Sequence, residues 1–224
     1  MERLAVEIVA RLKAAGFQAY LVGGCVRDLL LRIQPRDYDV ATDATPDQVL
    51  ALFPKAHRIG AHFGVVLVQQ FGAGVEVATF RSDHDYTDGR RPEAVRFEKD
   101  PKQDALRRDF TINALFMDPE SSEILDYVGG RKDLAAATLR AIGEPEVRFA
   151  EDHLRMLRAV RFAARFRFKI EDATMGAIQR LAEKIELVSA ERIRGELVRI
   201  LTEGGARQGM EMLDESGLLS LLLP

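Results

Sequence analysis

Two aspartates separated by one residue, Asp37 and Asp39, follow closely on a Gly23-Gly24 turn, and this spacing constrains the fold more than any other feature. On a β-strand, side chains at i and i+2 project from the same face, so both carboxylates can bind one divalent cation or a pair of them. A glycine pair lets the backbone approach a phosphate closely, and Arg27 can hold phosphate oxygens with two hydrogen bonds. Together these residues predict a nucleoside triphosphate bound through Mg²⁺. Taken singly, a glycine pair is usually a plain turn, and most such aspartate pairs are solvated or cap a helix.

The composition is that of an ordinary globular protein. The chain has 224 residues, with 47% hydrophobic and 30% charged, which fits one large or two modest domains. A net charge of −3 gives no overall attraction for nucleic acid, so a polyanion must meet a local basic patch. Cys25 is the only cysteine, which excludes a disulfide framework and predicts a cytoplasmic location. The apolar runs are too short to span a membrane, and the charged N-terminal segment is not a signal peptide.

The first part of the chain mixes strands with helices. Apolar residues recur at helical intervals from Leu4 to Leu12, and residues 19–22 form a predicted strand that enters the glycine turn. A second predicted strand carries both aspartates. Residues 64–70 and 75–80 form a predicted hairpin, whose second strand carries Glu76 as a candidate third carboxylate. Residues 81–92 are polar and without periodicity, which predicts a mobile loop.

From about residue 141 the pattern is helical. Apolar residues recur at helical spacing over residues 151–167, 171–184 and 190–201, with short turns between these segments. The predicted fold class is therefore α+β, with a small mixed sheet and flanking helices in residues 1–140. An all-helical segment follows over residues 141–224.

Residues 107–115, near the end of the first part of the chain, contain two arginines, an aspartate and an asparagine that are candidates for a binding site. Arg108 and Asn113 would lie about 140° apart on a helix, so they could serve phosphate and ribose at one pocket edge. Asp109 belongs to the same candidate group. A helix start capped by Asp109 is an equally good account of this run.

A second charged run opens the helical part. Its two acids stand before four arginines that share one predicted helix face: Glu151, Asp152, Arg155, Arg158, Arg161 and Arg165. A solvated face is the simpler interpretation, but mixed stripes are commoner on such faces than runs of unpaired arginines. The run is thus a candidate binding surface.

Six motifs in this order resemble the class II tRNA nucleotidyltransferases and the closely related bacterial poly(A) polymerases, within the DNA polymerase β-like nucleotidyltransferase superfamily. The motifs are LVGGCVRDLL, RDYDVAT, RRDFTINAL, DYVGGRKDL, EDHLRMLRAVRF and AERIRGEL, and they cover most of the chain from about Ala19 to Leu201. The resemblance implies a polymerase β-like nucleotidyltransferase head over residues 1–140. It implies a helical neck over residues 141–224, which includes the start of a truncated body.

The resemblance also implies roles for individual residues. Asp37 and Asp39 would bind two Mg²⁺ ions, with Glu76 as the candidate third catalytic carboxylate. Gly23, Gly24 and Arg27 would contact the triphosphate, and Arg108, Asp109 and Asn113 the phosphate and ribose. The residues expected to face the incoming base are Glu151, Asp152, Arg155, Arg158 and Arg161. The implied reaction is in-line attack of a tRNA 3′-hydroxyl on the α-phosphorus of CTP or ATP.

The implied family contains enzymes that add CCA, enzymes that add only part of it, and poly(A) polymerases. The stretch before Glu76, residues 59–66, lacks the Gly-Arg-Arg-Phe run typical of the polymerases, and residues 83–92 resemble the flexible loop needed for the switch to ATP. CCA addition is therefore favoured over the alternatives of A-only and poly(A) addition. A silent binding module would show a broken aspartate pair, and a P-loop enzyme would show a Gly-rich Lys-Ser/Thr motif; this sequence shows neither.

The expected partners are the tRNA 3′ end, CTP and ATP, with no membrane; the oligomeric state stays open. Residues 217–224 resemble a segment that continues into a helical body in the family. We therefore expect a shortened form that still binds nucleotides, whereas its binding to whole tRNA stays open.

Overall fold

The computed structural model describes residues 1–59, 64–70, 72–86 and 92–223, with the backbone alone described at 84–86 and 92–94. The chain divides into two compact units. The first, here called the sheet unit, comprises Met1–His84, Ala94–Arg108 and Ile112–Gly130. The second, here called the helical unit, comprises Asp85–Glu93, Asp109–Thr111 and Arg131–Pro224. The predicted head and neck, divided between residues 140 and 141, stay a prediction.

The elements up to residue 126 alternate between short helices and strands. They are α1 (Glu2–Ala14), β1 (Ala19–Val22), α2 (Gly24–Leu30), β2 (Asp39–Thr42), α3 (Pro46–Leu52), β3 (Ala56–Arg58), β4 (Val65–Gln70), β5 (Ala73–Thr79), β6 (Arg81–Tyr86), β7 (Pro92–Phe97), α4 (Pro101–Leu106), a 3₁₀ turn (Thr111–Asn113), β8 (Leu115–Met117) and β9 (Ile124–Asp126). Helix α1 buries Leu4, Ile8 and Leu12, as its periodicity predicts. Helix α3 begins with a complete capping box between Thr45 and Gln48.

A seven-stranded mixed sheet is the framework of the sheet unit, with strand order β3-β4-β5-β2-β1-β8-β9. Strand β1 runs antiparallel to both β2 and β8, whereas β2 and β5 run parallel to each other. The predicted hairpin is formed by β4 and β5. The mixed sheet with flanking helices confirms the predicted fold class of this part.

Two predictions about strands need correction. Strand β2 begins at Asp39, so Asp37 precedes the strand. The reason is that β1 ends at Val22, the partner of Asp39, where the chain turns at Gly23 and offers no further partner. The predicted mobile loop over residues 81–92 begins as strand β6, which pairs with β7 in a separate two-stranded sheet. The sequence did not indicate this strand because its side chains are polar; Ser82, for example, donates to Glu98, which directly follows β7, at 2.7 Å. Residues 87–91 of the predicted loop lie outside the described residues.

The helix-compatible run at residues 107–115 does not form a helix. Helix α4 ends at Leu106, a 3₁₀ turn follows at Thr111–Asn113, and β8 begins at Leu115. Within the helical unit, Phe110 is fully buried and pairs with Ala141 in an isolated β-bridge. This long-range pairing overrides the local helical propensity.

The elements after residue 129 are mainly helical. They are α5 (Gly130–Ala135), β10 (Thr138–Leu139), α6 (Pro145–Glu151), α7 (Leu154–Phe166), β11 (Lys169–Ile170), α8 (Asp172–Leu181), a 3₁₀ helix (Ala182–Leu187), α9 (Ala190–Thr202), α10 (Ala206–Glu215) and α11 (Leu218–Leu222). Helix α7 packs against α9 and α10. The predicted all-helical character needs a small correction, because β10 and β11 pair in parallel.

The predicted helix over residues 151–167 is broken at Asp152 and His153. Asp152 has extended backbone, and its Oδ1 accepts a hydrogen bond from the Leu154 N–H at 3.1 Å. An aspartate side chain that bonds the N–H two residues on offers the backbone an alternative to the helical hydrogen bond, and this explains the break between α6 and α7. In the part of the chain that the structure describes, no helix has the length and apolar character needed to cross a bilayer.

Candidate active site

Two of the predicted carboxylates are neighbours across the central strands of the sheet unit. Asp39 on β2 is the register partner of Glu76 on β5 in the parallel pair. Register partners project from the same face, so the two carboxylates stand side by side. Asp37, Asp39 and Glu76 are all exposed, whereas Tyr38 and Val40 are buried. Asp37 precedes the strand, so its position on the same face as Asp39 stays a prediction.

The electrostatics of this acidic group are unfavourable without a cation. The pKa of Asp39 is raised from 3.8 to about 6, because nearby protein atoms partly shield its carboxylate from water and because Glu76 and, more weakly, Asp37 repel its charge; Arg108 opposes this effect. No group of three His, Cys, Asp or Glu side chains within the described ranges is close enough to form a metal site by itself. Mg²⁺ needs fewer protein ligands than that, since it is commonly held by one or two carboxylates together with substrate phosphates.

The glycine turn requires its glycines. Gly23 has φ of 77°, in the left-handed region, and its N–H bonds the carbonyl of Leu115 at 3.0 Å. A Cβ on Gly23 would meet Arg108 Nη1 at 3.1 Å. The turn thus leads directly into α2 at Gly24 and brings the backbone against an arginine that is distant in sequence.

Arg27 is buried, and its guanidinium is engaged within the sheet unit. Its Nε and Nη2 donate to Asp28 Oδ1 at 2.8 and 2.6 Å, and its Nη1 donates to Asn113 Oδ1 at 2.6 Å. Asn113 was predicted to serve one pocket edge together with Arg108, and the 3₁₀ turn places its side chain on Arg27. Sequence reasoning missed Asp28, whose position next to Arg27 gave no signal of this pairing.

Arg108 is the predicted site arginine that lies against the glycine turn. Its Nε and Nη2 donate to Asp104 Oδ2 at 3.1 and 2.8 Å, and its Nη1 lies 3.4 Å from the carbonyl of Asn113. The guanidinium carbon stands 5.5 Å from the centre of the Phe116 ring. Gly23, Arg108, Asn113 and Arg27 therefore form one connected group in the sheet unit.

The remaining predicted residues belong to the helical unit, where Asp109 is paired with Arg158. Asp109 Oδ2 accepts from Arg158 Nε at 2.9 Å and from Nη2 at 2.5 Å, and Oδ1 accepts from the Phe110 N–H at 2.8 Å. Burial lowers the pKa of Arg158, but the carboxylate of Asp109 outweighs this effect and holds it above its ordinary value. A predicted ribose residue and a predicted base residue thus hold each other.

Glu151 and Arg155 form a second pair, on either side of the helix break. Arg155 Nη1 donates to Glu151 Oε2 at 2.5 Å and to the carbonyl of Arg148 at 3.0 Å. Arg148 donates to the same Glu151 oxygen at 2.8 Å. Glu151 therefore holds Arg155 in place, with Arg148 as a residue that sequence reasoning did not single out.

Asp152 is held by an arginine from another helix. Arg192 on α9 donates through Nη2 to Asp152 Oδ1 at 3.1 Å and to Oδ2 at 2.8 Å. Arg192 was quoted within the AERIRGEL motif but was not predicted as a site residue. Its place in that motif was the only indication of a role in the site, because a contact between residues so far apart in sequence produces no periodic pattern.

The predicted stripe of arginines on α7 is internally compensated. Arg161 Nε lies 2.8 Å from Glu196 Oε2 in a buried ion pair, and Arg165 lies 3.6 Å from Glu203. Burial lowers the pKa of Arg161 to about 10, even though Glu196 acts in the opposite direction. The interpretation of these arginines as an unpaired stripe is wrong, since each has an acidic partner. For Arg161, burial among helices points to a structural role.

Residues 19–140 match the family described as "Poly A polymerase head domain", and residues 167–224 match one described as "Probable RNA and SrmB- binding site of polymerase A". The chain belongs to the poly A polymerase head domain family. The family resemblance predicted from the six motifs is thereby confirmed.

Relatives and solved structures agree with this membership. A CCA-adding enzyme of Ligilactobacillus salivarius is 43% identical over 211 residues, which are 94% of this chain and 52% of the relative. The crystal structure of the Bacillus stearothermophilus CCA-adding enzyme in complex with CTP matches with a TM-score of 0.88 and 41% identity, covering 96% of this chain and 52% of that one. The Thermotoga maritima CCA-adding enzyme complexed with tRNA-CCA matches with a TM-score of 0.79 and 26% identity, covering 97% and 51%. The chain thus spans about half the length of these proteins.

Proposed function

We propose that this chain carries the catalytic part of a CCA-adding tRNA nucleotidyltransferase, which transfers CMP and AMP from CTP and ATP to a tRNA 3′ end without a template. The observation that carries this proposal is the side-by-side placement of Asp39 and Glu76 on the parallel strands β2 and β5, in a chain of this family. The relatives named above are CCA-adding enzymes, and one is complexed with CTP.

The acidic group fits a divalent cation. Its donors are hard carboxylate oxygens, which Mg²⁺ prefers. Burial, together with repulsion from Glu76, raises the pKa of Asp39 to about 6, so a cation would stabilise its ionised form. Asp37 and Asp39 would hold the metal, with Glu76 as a further carboxylate beside them. Two Mg²⁺ ions, when bound, would activate the attacking 3′-hydroxyl and stabilise the leaving pyrophosphate. The contribution of the protein is to hold these oxygens on one face of a rigid sheet.

The glycine turn and Arg108 would bind the triphosphate. Gly23 and Gly24 carry no Cβ, so phosphate oxygens can approach their N–H groups. Arg108 adds a guanidinium directly beside this turn. Arg27 is already bonded to Asp28 and Asn113, so it would add positive charge beneath the turn and fix its shape.

Asp152 and Arg155 are the best candidates for reading the base. The carboxylate offers acceptors and the guanidinium offers donors, which is what a Watson–Crick edge requires in the absence of a template. Both are fixed before any nucleotide binds, Asp152 by Arg192 and Arg155 by Glu151. Groups held in one geometry discriminate better between ligands, because less freedom is lost on binding.

Nucleotide incorporation tests this proposal. Transcripts of one tRNA, ending before CCA or after CC, are offered CTP, ATP or both with Mg²⁺, and isothermal titration measures CTP binding in parallel. Stepwise addition of C, C and A that then stops is the expected result. Addition of A only to the CC-ended transcript would replace the proposal by A-only activity, and open-ended A tails would replace it by poly(A) activity. CTP binding without incorporation would reduce the function of this chain to nucleotide binding.

Carboxylate variants provide the control for the active site. Replacing Asp37 or Asp39 with alanine should abolish incorporation, because each change removes a metal-binding carboxylate. Asp47→Asn is a matched control, since Asp47 is an exposed carboxylate in the same unit and pairs with Arg58 at the surface. It should leave the rate unchanged. Full activity of the double variant at Asp37 and Asp39 would contradict the metal assignment.

Two further expectations from the sequence belong to this proposal, namely the cellular location and the kind of nucleotide addition. A cytoplasmic location stays a prediction. The stretch that favours CCA addition over poly(A) addition includes residues 60–63, which lie outside the described residues.

A further inference from the structure

Asp104 on α4 is a buried carboxylate that the proposed mechanism does not use. Its relative exposure is 1%. Helix α4 has only six residues and begins directly after Asp100, which is exposed to solvent. An ionised carboxylate at such a site requires several hydrogen bonds and a positive partner. Asp104 has both, because two arginines and one backbone N–H converge on it.

The Oδ1 atom of Asp104 anchors the carboxylate. It accepts from Arg107 Nε at 2.8 Å, and the N–H of Arg81, the first residue of β6, lies 3.4 Å away. Asp83 braces this group from the other side, since it bonds Arg81 Nε at 2.9 Å and lies 3.7 Å from Arg107 Nη1. Burial raises the pKa of Asp104, but the two arginines outweigh this effect and hold it below its ordinary value. The carboxylate is thus charged and fixed in direction.

Of the groups that bond Asp104, Arg108 is the one that binds its Oδ2 atom. Arg108 uses one edge of its guanidinium, Nε and Nη2, to bind this oxygen at 3.1 and 2.8 Å. The planar fork of a guanidinium has a fixed geometry, so a bond along one edge sets the direction of the other nitrogen. That nitrogen, Nη1, is the atom that stands 3.1 Å from where a Cβ on Gly23 would be.

We propose that Asp104 is a positioning residue that aims the Nη1 edge of Arg108 at the glycine turn and so prepares this turn for the triphosphate of the incoming nucleotide. The inference rests on the proposed function. Asp104 touches neither substrate nor metal; it acts through Arg108. The ligand group that it serves is the polyphosphate, whatever base is attached.

A purely local role for Asp104 in its helix explains less. Helix α4 is already capped, because Asp100 accepts from the Lys102 N–H at 2.9 Å. Asp104 lies one turn later, and its bonds go to two side chains and to a residue outside the helix. Asp100 therefore offers a matched control, with the same residue type on the same helix and with exposure to solvent.

The test compares binding of CTP with binding of CMP by the wild-type chain and its variants, in the presence of Mg²⁺ and by titration calorimetry. Asp104→Asn keeps the size of the side chain but removes its charge and one acceptor. We expect it to weaken CTP binding by about tenfold, which corresponds to about 1.4 kcal/mol, while CMP binding changes less than about twofold. Asp100→Asn should leave both affinities unchanged, because asparagine caps helices as well as aspartate does.

A double-variant cycle separates positioning from a general loss of stability. If Asp104 acts through Arg108, Asp104→Asn should cause no further loss of CTP affinity in a chain that carries Arg108→Gln. Additive losses, an equal loss for CMP, or unchanged CTP binding in Asp104→Asn would each overturn the proposal.

A second variant keeps the test decisive if Asp104→Asn does not fold. Asp104→Glu retains the charge and moves the carboxylate by one methylene group, so it should weaken CTP binding and leave CMP binding intact. Unchanged affinity for CTP in that variant would overturn the proposal. Failure of the wild-type chain to bind CTP would instead contradict the proposed function itself, and this inference with it.

Discussion

Replacing Asp39 with asparagine should make the metal-free protein more stable. The folded chain raises the pKa of this carboxyl from 3.8 to about 6, through the surrounding protein and the neighbouring carboxylate of Glu76. An acid whose pKa is raised on folding destabilises the fold when it is ionised, and this penalty is greatest above the folded pKa. Asparagine has nearly the same shape and no charge, so it removes the penalty. The active site would thus be a place where function opposes stability.

The size of the effect follows from the pKa. The difference between 3.8 and about 6 corresponds to about 3 kcal/mol at neutral pH, if it is taken in full. The side chain of Asp39 is exposed, and solvent screens such interactions, so we expect about 1 kcal/mol. For a chain of this length, this corresponds to a rise in Tm of about 2–4 °C. The gain should be complete above about pH 7, fall to about half by pH 5, and vanish below about pH 4.

The assay is thermal unfolding of the wild-type chain and the variant in EDTA and again with Mg²⁺ and CTP. In EDTA at neutral pH, the variant should melt at the higher temperature. With the ligands at about a hundred times Kd, the wild type should gain about 2.7 kcal/mol, whereas the variant, which lacks a metal-binding carboxylate, should gain little. The order of the two melting temperatures should therefore reverse when ligand is added.

Two results would refute this reasoning. If the variant melts below the wild type in EDTA at neutral pH, the carboxylate of Asp39 stabilises the metal-free fold and the acidic group is not strained. If both proteins gain equally from Mg²⁺ and CTP, Asp39 does not bind the metal. Asp47→Asn should show neither change, which separates the effect of this site from a change in net charge.

Three further predictions follow from the contacts. Gly23→Ala should abolish CTP binding and lower the Tm by several degrees, as titration calorimetry and thermal unfolding would measure. Alanine at this positive φ costs about 1–3 kcal/mol, and its Cβ would displace the nearby guanidinium. Arg192→Gln should reduce the preference between CTP and ATP in incorporation assays as Asp152→Asn does, and unchanged selectivity in both would move base reading elsewhere. Arg161→Met should lower the unfolding free energy in urea by about 3 kcal/mol, since it leaves the buried Glu196 with only the exposed Arg199, 3.6 Å away, as a partner. Adding Glu196→Leu should restore most of the loss, and a fully additive loss would argue against the pair.

Local patterns in the sequence predicted the elements well where neighbouring residues determine them. The capping box at Thr45 predicts the start of α3 because both of its hydrogen bonds join residues three apart. The apolar spacing of α1 predicts which side is buried. The helix break at Asp152 was missed, although its cause is also local, because an aspartate that bonds the backbone inside a periodic pattern resembles a residue on the polar face.

The partners of the arginines were not predictable in the same way. Asp109 and Arg158 are 49 residues apart in sequence, and Arg27 and Asn113 are 86 apart. A charged residue at an exposed or a buried position looks the same in a single sequence, and periodicity does not report a contact between two elements. Reading the arginines of α7 as an unpaired stripe was wrong for this reason.

The pairing of arginines with acids in the sheet unit shows where negative charge is left uncompensated. The buried acids of the sheet unit each have an arginine, since Asp28 holds Arg27 and Asp104 holds Arg107 and Arg108. Arg108, which lowers the pKa of Asp39, is itself bonded to Asp104 and so cannot neutralise that carboxylate fully. In the described part of the chain, the acids just before β2, at its first residue and on β5 keep a surplus of negative charge on an open face. The fold pairs its buried acids in this unit but not these, and this difference supports the proposed cation site.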